Sequence, residues 1–206
     1  FVAATRLAAD QALPQIVEQK SPKFVLVHSE ISHSPTIFKA DGSRLPLPKG
    51  FWMIDWGTRE ELKGQVSYSQ DKAVQWLDTI FKSYGENKPV IIVQADHGPG
   101  VVMEKPKDWW NQRMRILNAY YFPDRDYTKL YPDISPVNSF RVVFNKYFGA
   151  DLPLLPDKAM SPDKYEDFFN WKDVRAHLRF NGEKAYPTEL KPDSSNESSN
   201  GKSTEK

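Results

Sequence analysis

Hydrophobic residues in this chain come in short blocks separated by stretches rich in proline, glycine and charge, and the spacing inside each block differs. Between Thr5 and Lys20, the apolar positions Leu7, Ala8, Ala12, Ile16 and Val17 fit one face of a helix. Ser21-Pro22 ends that helix. Phe24–His28 reads as a short strand, and Ile31–Phe51, interrupted by prolines and glycines, as a long loop. Ser69 opens a second helix, with Asp71 near its positive end and Val74, Leu77, Ile80, Phe81 and Tyr84 as its apolar stripe. Gly85 stops it. The β-branched run Val90, Ile91, Ile92 and Val93 predicts a strand buried on both faces. Strand, helix and strand in this order predict a right-handed parallel crossover.

Further along, residues 100–115 are mixed, and Ile116–Phe122 reads as another strand closed by Pro123. Ser135-Pro136 has the form of a helix start. Val137, Phe140, Val143, Phe144, Tyr147 and Phe148 are expected to face inward from that helix, which ends at Gly149. From about Ser161 the pattern weakens. Lys191–Lys206 holds no apolar residue and is expected to be a disordered tail.

Chemistry concentrates where the Val90 strand stops. Asp96 and His97 stand side by side, and Gly98 lets the backbone turn tightly after them. Ligands in open α/β sheets bind just beyond the carboxyl ends of strands. A carboxylate oxygen with an imidazole nitrogen suits a divalent cation such as Zn²⁺ or Mn²⁺. The plainer reading is an aspartate capping a turn beside a surface histidine. Three of the four histidines lie in two segments, Phe24–Phe38 and Val90–Pro99. His33, two residues before Pro35, follows the first strand and is a candidate to act on a substrate oxygen. His28 at the strand end reads better as structural, Glu30 as a supporting hydrogen-bond partner, and His177 as a surface residue. Trp52, Trp56, Trp109 and Trp110 flank these segments; packing is the simpler explanation for them.

A buried strand running into Asp96-His97-Gly98 resembles the metal motif of the alkaline phosphatase superfamily, in particular its sulfatase-like and lipoteichoic-acid-synthase-like branch. Phe24–Phe38, with His33-Ser34-Pro35, resembles the strand and loop that carry an active-site histidine in that branch. Tyr68–Tyr84 and Ile116–Gly149 resemble the elements between and after these motifs, so the likeness covers roughly residues 23 to 155. It implies an α/β fold with a mainly parallel sheet and helices on both faces, incomplete at the N-terminus. The implied domains are 1–160 for the C-terminal part of the catalytic domain, 161–190 for a peripheral extension and 191–206 for the tail. It also implies Asp96 and His97 as ligands of a divalent metal ion (Mn, Zn, Ca or Mg). His33 would be the catalytic residue, and the substrate a sulfate or phosphate ester of a small molecule, lipid or glycan.

The chain departs from the family pattern in two ways. Ala95 and Pro99 flank the motif where the family often has a hydroxyl residue and a glutamate. The family's nucleophile lies well upstream of the histidine loop, so the resemblance implies one supplied by a preceding segment. Activity would then belong to the full-length hydrolase or transferase, in a membrane-anchored or extracytoplasmic setting. The alternative is a non-catalytic remnant of the same fold, serving as a binding or structural module.

Composition narrows the remaining classes. With 28 basic and 27 acidic residues, the chain has no electrostatic footprint for nucleic acid or an anionic membrane. No apolar run approaches the roughly 18 to 20 residues that span a bilayer, so any membrane association would come from an N-terminal region beyond this stretch. The absence of cysteine excludes disulfides, thiolate metal sites and a cysteine nucleophile here.

Overall fold

The computed structural model describes residues 7–46, 57–98, 109–162 and 169–178. These fall into two compact units: residues 7–46, 57–91 and 120–126 make one, and residues 92–98, 109–119, 127–162 and 169–178 the other.

In the first unit, α1 (Ala8–Glu18) forms where the periodicity placed it. Its exposed last carbonyls are collected by one cation: Lys23 Nζ donates to Ile16 O at 2.6 Å and to Gln19 O at 2.7 Å. Helix α2 (Arg59–Tyr84) starts ten residues earlier than the apolar stripe suggests. A capping box sets its origin. The Thr58 hydroxyl accepts from Glu61 N–H, and the Glu61 carboxylate accepts from Thr58 N–H at 2.7 Å. Asp10 joins the two helices, taking Lys72 Nζ on one oxygen and Trp76 Nε1 on the other, each at 2.7 Å.

The core of this unit is Ile31, Ile37 and Phe38, packed against Leu7, Tyr68 and Trp76. The Phe38 and Tyr68 rings lie 5.1 Å apart. Between Phe38 and Arg44, which form an antiparallel bridge, the chain turns through Gly42 at φ +80, with the Tyr68 ring against it. A side chain there would be strained and would strike that ring.

Four short strands occur among the described residues. β1 (Ile91–Gln94) pairs with β2 (Asn118–Tyr121), and β3 (Met160–Pro162) with β4 (Trp171–Asp173). Both pairs are antiparallel. This overturns the expected α/β architecture of a mainly parallel sheet with helices on both faces. Residues 24–28 are not in a strand, and Phe24 and Leu26 are 74 % and 79 % exposed. β1 is half-buried at Ile91, Ile92 and Val93 and exposed at Gln94, not buried on both faces. The physical reason is that apolar β-branched residues favour extended backbone without choosing a partner. Here the connection chooses it: Ala95 N–H bonds to Leu117 O at 2.9 Å and Gly98 N–H to Arg113 O at 2.8 Å, so the chain reverses through the short helix α3 (Trp109–Met114).

The second unit is built on α4 (Pro136–Tyr147), with Ser135 at its N-cap and Pro136 at its first turn as the sequence suggests. Its inward face differs from the expected one. Asn138, Ser139, Val142 and Val143 are buried, while Phe140, Phe144 and Phe148 are exposed, the last at 73 %. The three phenylalanines lie one turn apart and contact one another along the helix, with centroids 5.8 Å apart in each step. Asn138 decides which stripe turns inward. Fully buried, it bonds Leu155 N–H at 2.9 Å and Leu155 O at 2.8 Å, which draws the 138/142 side toward the following segment. Beyond Ser161, where the sequence pattern weakens, β3 and β4 pair Met160 with Asp173, and Val174 and Leu178 are buried. The expected tail, 191–206, lies outside the described residues.

Candidate functional site

His97 and Asp96 sit directly after β1, in the second unit. Asp96 Oδ1 accepts from the His97 backbone N–H at 2.8 Å, which folds the carboxylate back over its neighbour. Its other oxygen, Oδ2, stands 3.3 Å from His97 Nε2. The two side chains are 76 % and 32 % exposed. Gly98 closes the turn against the end of α3. A Cβ at position 98 would be driven into the Gln112 carbonyl oxygen, which is backbone and cannot swing aside. Gly98→Ala is therefore expected to prise the Asp96-His97 turn away from α3 and destabilise the unit by about 1 to 3 kcal/mol, the usual cost of overpacking. Urea unfolding of the variant, with hydrogen exchange at Gly98 N–H, measures both effects.

The residue that sequence reasoning missed is Arg113. Its Nη1 lies 2.6 Å from His97 Nδ1 and 3.0 Å from Gly98 O. Burial lowers the Arg113 pKa from the ordinary guanidinium range, and the charge of Asp96 partly restores it; the group remains a cation. No signal in the sequence pairs residue 113 with residue 97, because that contact depends on the antiparallel return of the chain.

The donor set can be tested against a divalent cation. Two ligands at about 2.0 to 2.2 Å from one ion, at tetrahedral to octahedral angles, lie about 3 to 3.5 Å apart. The separation of 3.3 Å between Asp96 Oδ2 and His97 Nε2 fits. A carboxylate oxygen and an imidazole nitrogen also suit Zn²⁺ or Mn²⁺ chemically. Among the described residues no group of three or more His, Cys, Asp and Glu side chains forms, and Asp96 and His97 stand as a pair.

His33 belongs to the first unit and is exposed. Its Nδ1 lies 2.6 Å from the Ser34 carbonyl, an acceptor, so Nδ1 carries the proton and Nε2 the lone pair in the neutral ring. The loop around it hangs from Gln65, which sequence reasoning also missed. Fully buried, Gln65 accepts from Ile37 N–H at 2.7 Å and Phe38 N–H at 3.1 Å, and donates to His33 O at 2.9 Å. Thr58-x-x-Glu61 could have revealed it, since that signature starts α2 early enough to put Gln65 one turn after Leu62 and one before Tyr68.

The other candidates are less informative. His28 and Glu30 are exposed, against the expectation of a buried histidine with a supporting carboxylate. Trp110 is half-buried, whereas Trp52, Trp56 and the side chains of Trp109 and His177 lie outside the described residues. No described helix is long and apolar enough to cross a membrane. Compared with protein families, with curated proteins and with solved structures, the chain shows no match to any of the three.

Proposed function

We propose that this chain carries part of the centre of a metal-dependent hydrolase or transferase acting on sulfate or phosphate esters. The observation that supports it best is the pairing of Asp96 Oδ2 and His97 Nε2 at ligand–ligand distance just past the end of β1. The sulfatase-like resemblance of the ordered motifs points the same way. Asp96 and His97 would hold the cation. When bound, such an ion neutralises charge on a transferring group and lowers the pKa of a coordinated nucleophile.

His33 is proposed to bind the transferring group or protonate the leaving oxygen. Its Nδ1–H donates to the Ser34 carbonyl, which orients the ring, and Nε2 is proposed as the atom that exchanges a proton with the substrate. Gln65 fixes the backbone on which this ring sits. Ser29, Ser32 and Thr36 lie in the same loop and are not assigned as nucleophiles. That role is proposed for a preceding segment, as the resemblance implies. Water as acceptor would make the enzyme a hydrolase, an alcohol a transferase.

The test is an assay of the intact protein with nitrophenyl phosphate, nitrophenyl sulfate and a phosphodiester analogue, with and without Mn²⁺ or Zn²⁺. Cation-dependent turnover that falls to background in Asp96→Ala is the expected result. Turnover indifferent to chelation and to Asp96→Ala overturns the metal-dependent reading. Cation binding at Asp96 with no turnover on any of the three would favour the binding-module alternative.

A further inference from the structure

We propose that Arg113 is a positioning residue that latches His97 in a tautomer unable to bind a cation, and that cation binding exchanges this latch for the Gly98 carbonyl. The exchange rests on the proposed cation site; the latch itself does not. A guanidinium has only donors. With Arg113 Nη1 at 2.6 Å, His97 Nδ1 must present its lone pair, and the single proton of the neutral ring then sits on Nε2. That Nε2–H faces Asp96 Oδ2 at 3.3 Å, so the nitrogen at ligand distance from the carboxylate has no lone pair to offer.

Coordination through Nε2 requires the proton to move to Nδ1, through solvent and with no net change in charge. There it would oppose the Arg113 N–H, and two donors cannot share that gap. The second state is already prepared. Gly98 O lies 3.0 Å from His97 Nδ1 and also 3.0 Å from Arg113 Nη1. One carbonyl can thus serve the guanidinium in the first state and the Nδ1–H in the second. A histidine that gives its second ring N–H to a backbone carbonyl is the ordinary arrangement of a metal-ligating imidazole. Charge works in the same direction. Asp96 attracts Arg113 in the first state, and a divalent ion on Asp96 would repel it.

The test is nitrogen NMR of the His97 ring in the metal-free protein, paired with Zn²⁺ titration calorimetry. Arg113→Met keeps the aliphatic stem and removes the donors. In the unsubstituted protein His97 is expected in the Nε2–H form, and Zn²⁺ should convert it to Nδ1–H. In Arg113→Met the metal-free ring should lose that preference, and Zn²⁺ should bind about three- to tenfold tighter, the size of one net hydrogen bond. A metal-free His97 already in the Nδ1–H form overturns the latch without any variant. So does a tautomer ratio that Arg113→Met leaves unchanged. Release of the tautomer with unchanged Zn²⁺ affinity overturns the exchange. A latch that Arg113→Met releases, with no Zn²⁺ bound by either protein, upholds the latch and overturns the cation reading.

Discussion

Gln65→Ala is expected to destabilise the first unit by about 2 to 4 kcal/mol, because it leaves two buried backbone N–H groups without an acceptor, each costing about 1 to 3 kcal/mol. The amides are those of Ile37 and Phe38, both core residues, and the same side chain also holds the His33 carbonyl. One glutamine thus ties α2 to the loop that carries the candidate catalytic histidine. Gln65→Met separates the bonds from the volume. It fills nearly the same space but cannot accept from either amide, so its loss should approach that of alanine. Urea unfolding followed by tryptophan fluorescence gives the size, and hydrogen exchange should speed up at Ile37 and Phe38 ahead of the rest of the unit. A methionine variant as stable as the parent would show that packing, not hydrogen bonding, holds the loop.

The second large effect is expected at Asp157. Its carboxylate accepts from the Ser135 N–H at 2.7 Å, the Ser135 hydroxyl at 2.6 Å, the Tyr131 hydroxyl at 2.7 Å and Asn138 Nδ2 at 3.1 Å. Arg175 fastens the same region from the other side, donating to Asp157 O at 2.9 Å and to Asp133 O at 2.8 Å. Asp157→Ala strands several of these donors together and should cost the second unit about 2 to 4 kcal/mol. Tyr131→Phe combined with it should cost less than the sum of the two, since both remove the same bond.

Asp157 also predicts a pH dependence. Burial alone would raise its pKa, but the hydrogen bonds from Ser135, Tyr131 and Asn138 outweigh burial and hold it below the usual carboxylate value. A lowered folded-state pKa stabilises above the unfolded value of about 3.9, and that contribution disappears as pH falls through the lower folded value. The partner behaves oppositely. Burial first, and then the bond to Asp157, pushes the Tyr131 hydroxyl up to about 12. Its contribution is complete below about 10 and is lost as pH rises through about 12. Unfolding measured across acid pH should therefore show a shallower loss in Asp157→Ala than in the parent. Equal slopes would remove Asp157 from the account.

The sequence by itself determined α1, the β1 and β2 segments, and the start and end of α4. Each depends on signals within a few residues: helical spacing of Leu7, Ala8, Ala12, Ile16 and Val17, a β-branched run at Ile91–Val93, and Ser135-Pro136 followed by Gly149. The turn of Asp96, His97 and Gly98 was legible for the same reason. Tertiary structure decided what these elements do with one another. Phe24–Val27 has strand-like composition yet joins no strand, because extended backbone needs a partner that composition does not specify. On α4, two stripes on different faces of the helix compete for the interior. The polar pair Asn138 and Ser139 went in and the phenylalanines stayed out, because Asn138 meets the backbone of Leu155, seventeen residues away. Arg113 reaches His97 across sixteen residues in the same manner, and Gln65 reaches His33 across thirty-two. Buried polar groups take their meaning from the partner that satisfies them, and that partner is a product of the folded chain rather than of its local pattern.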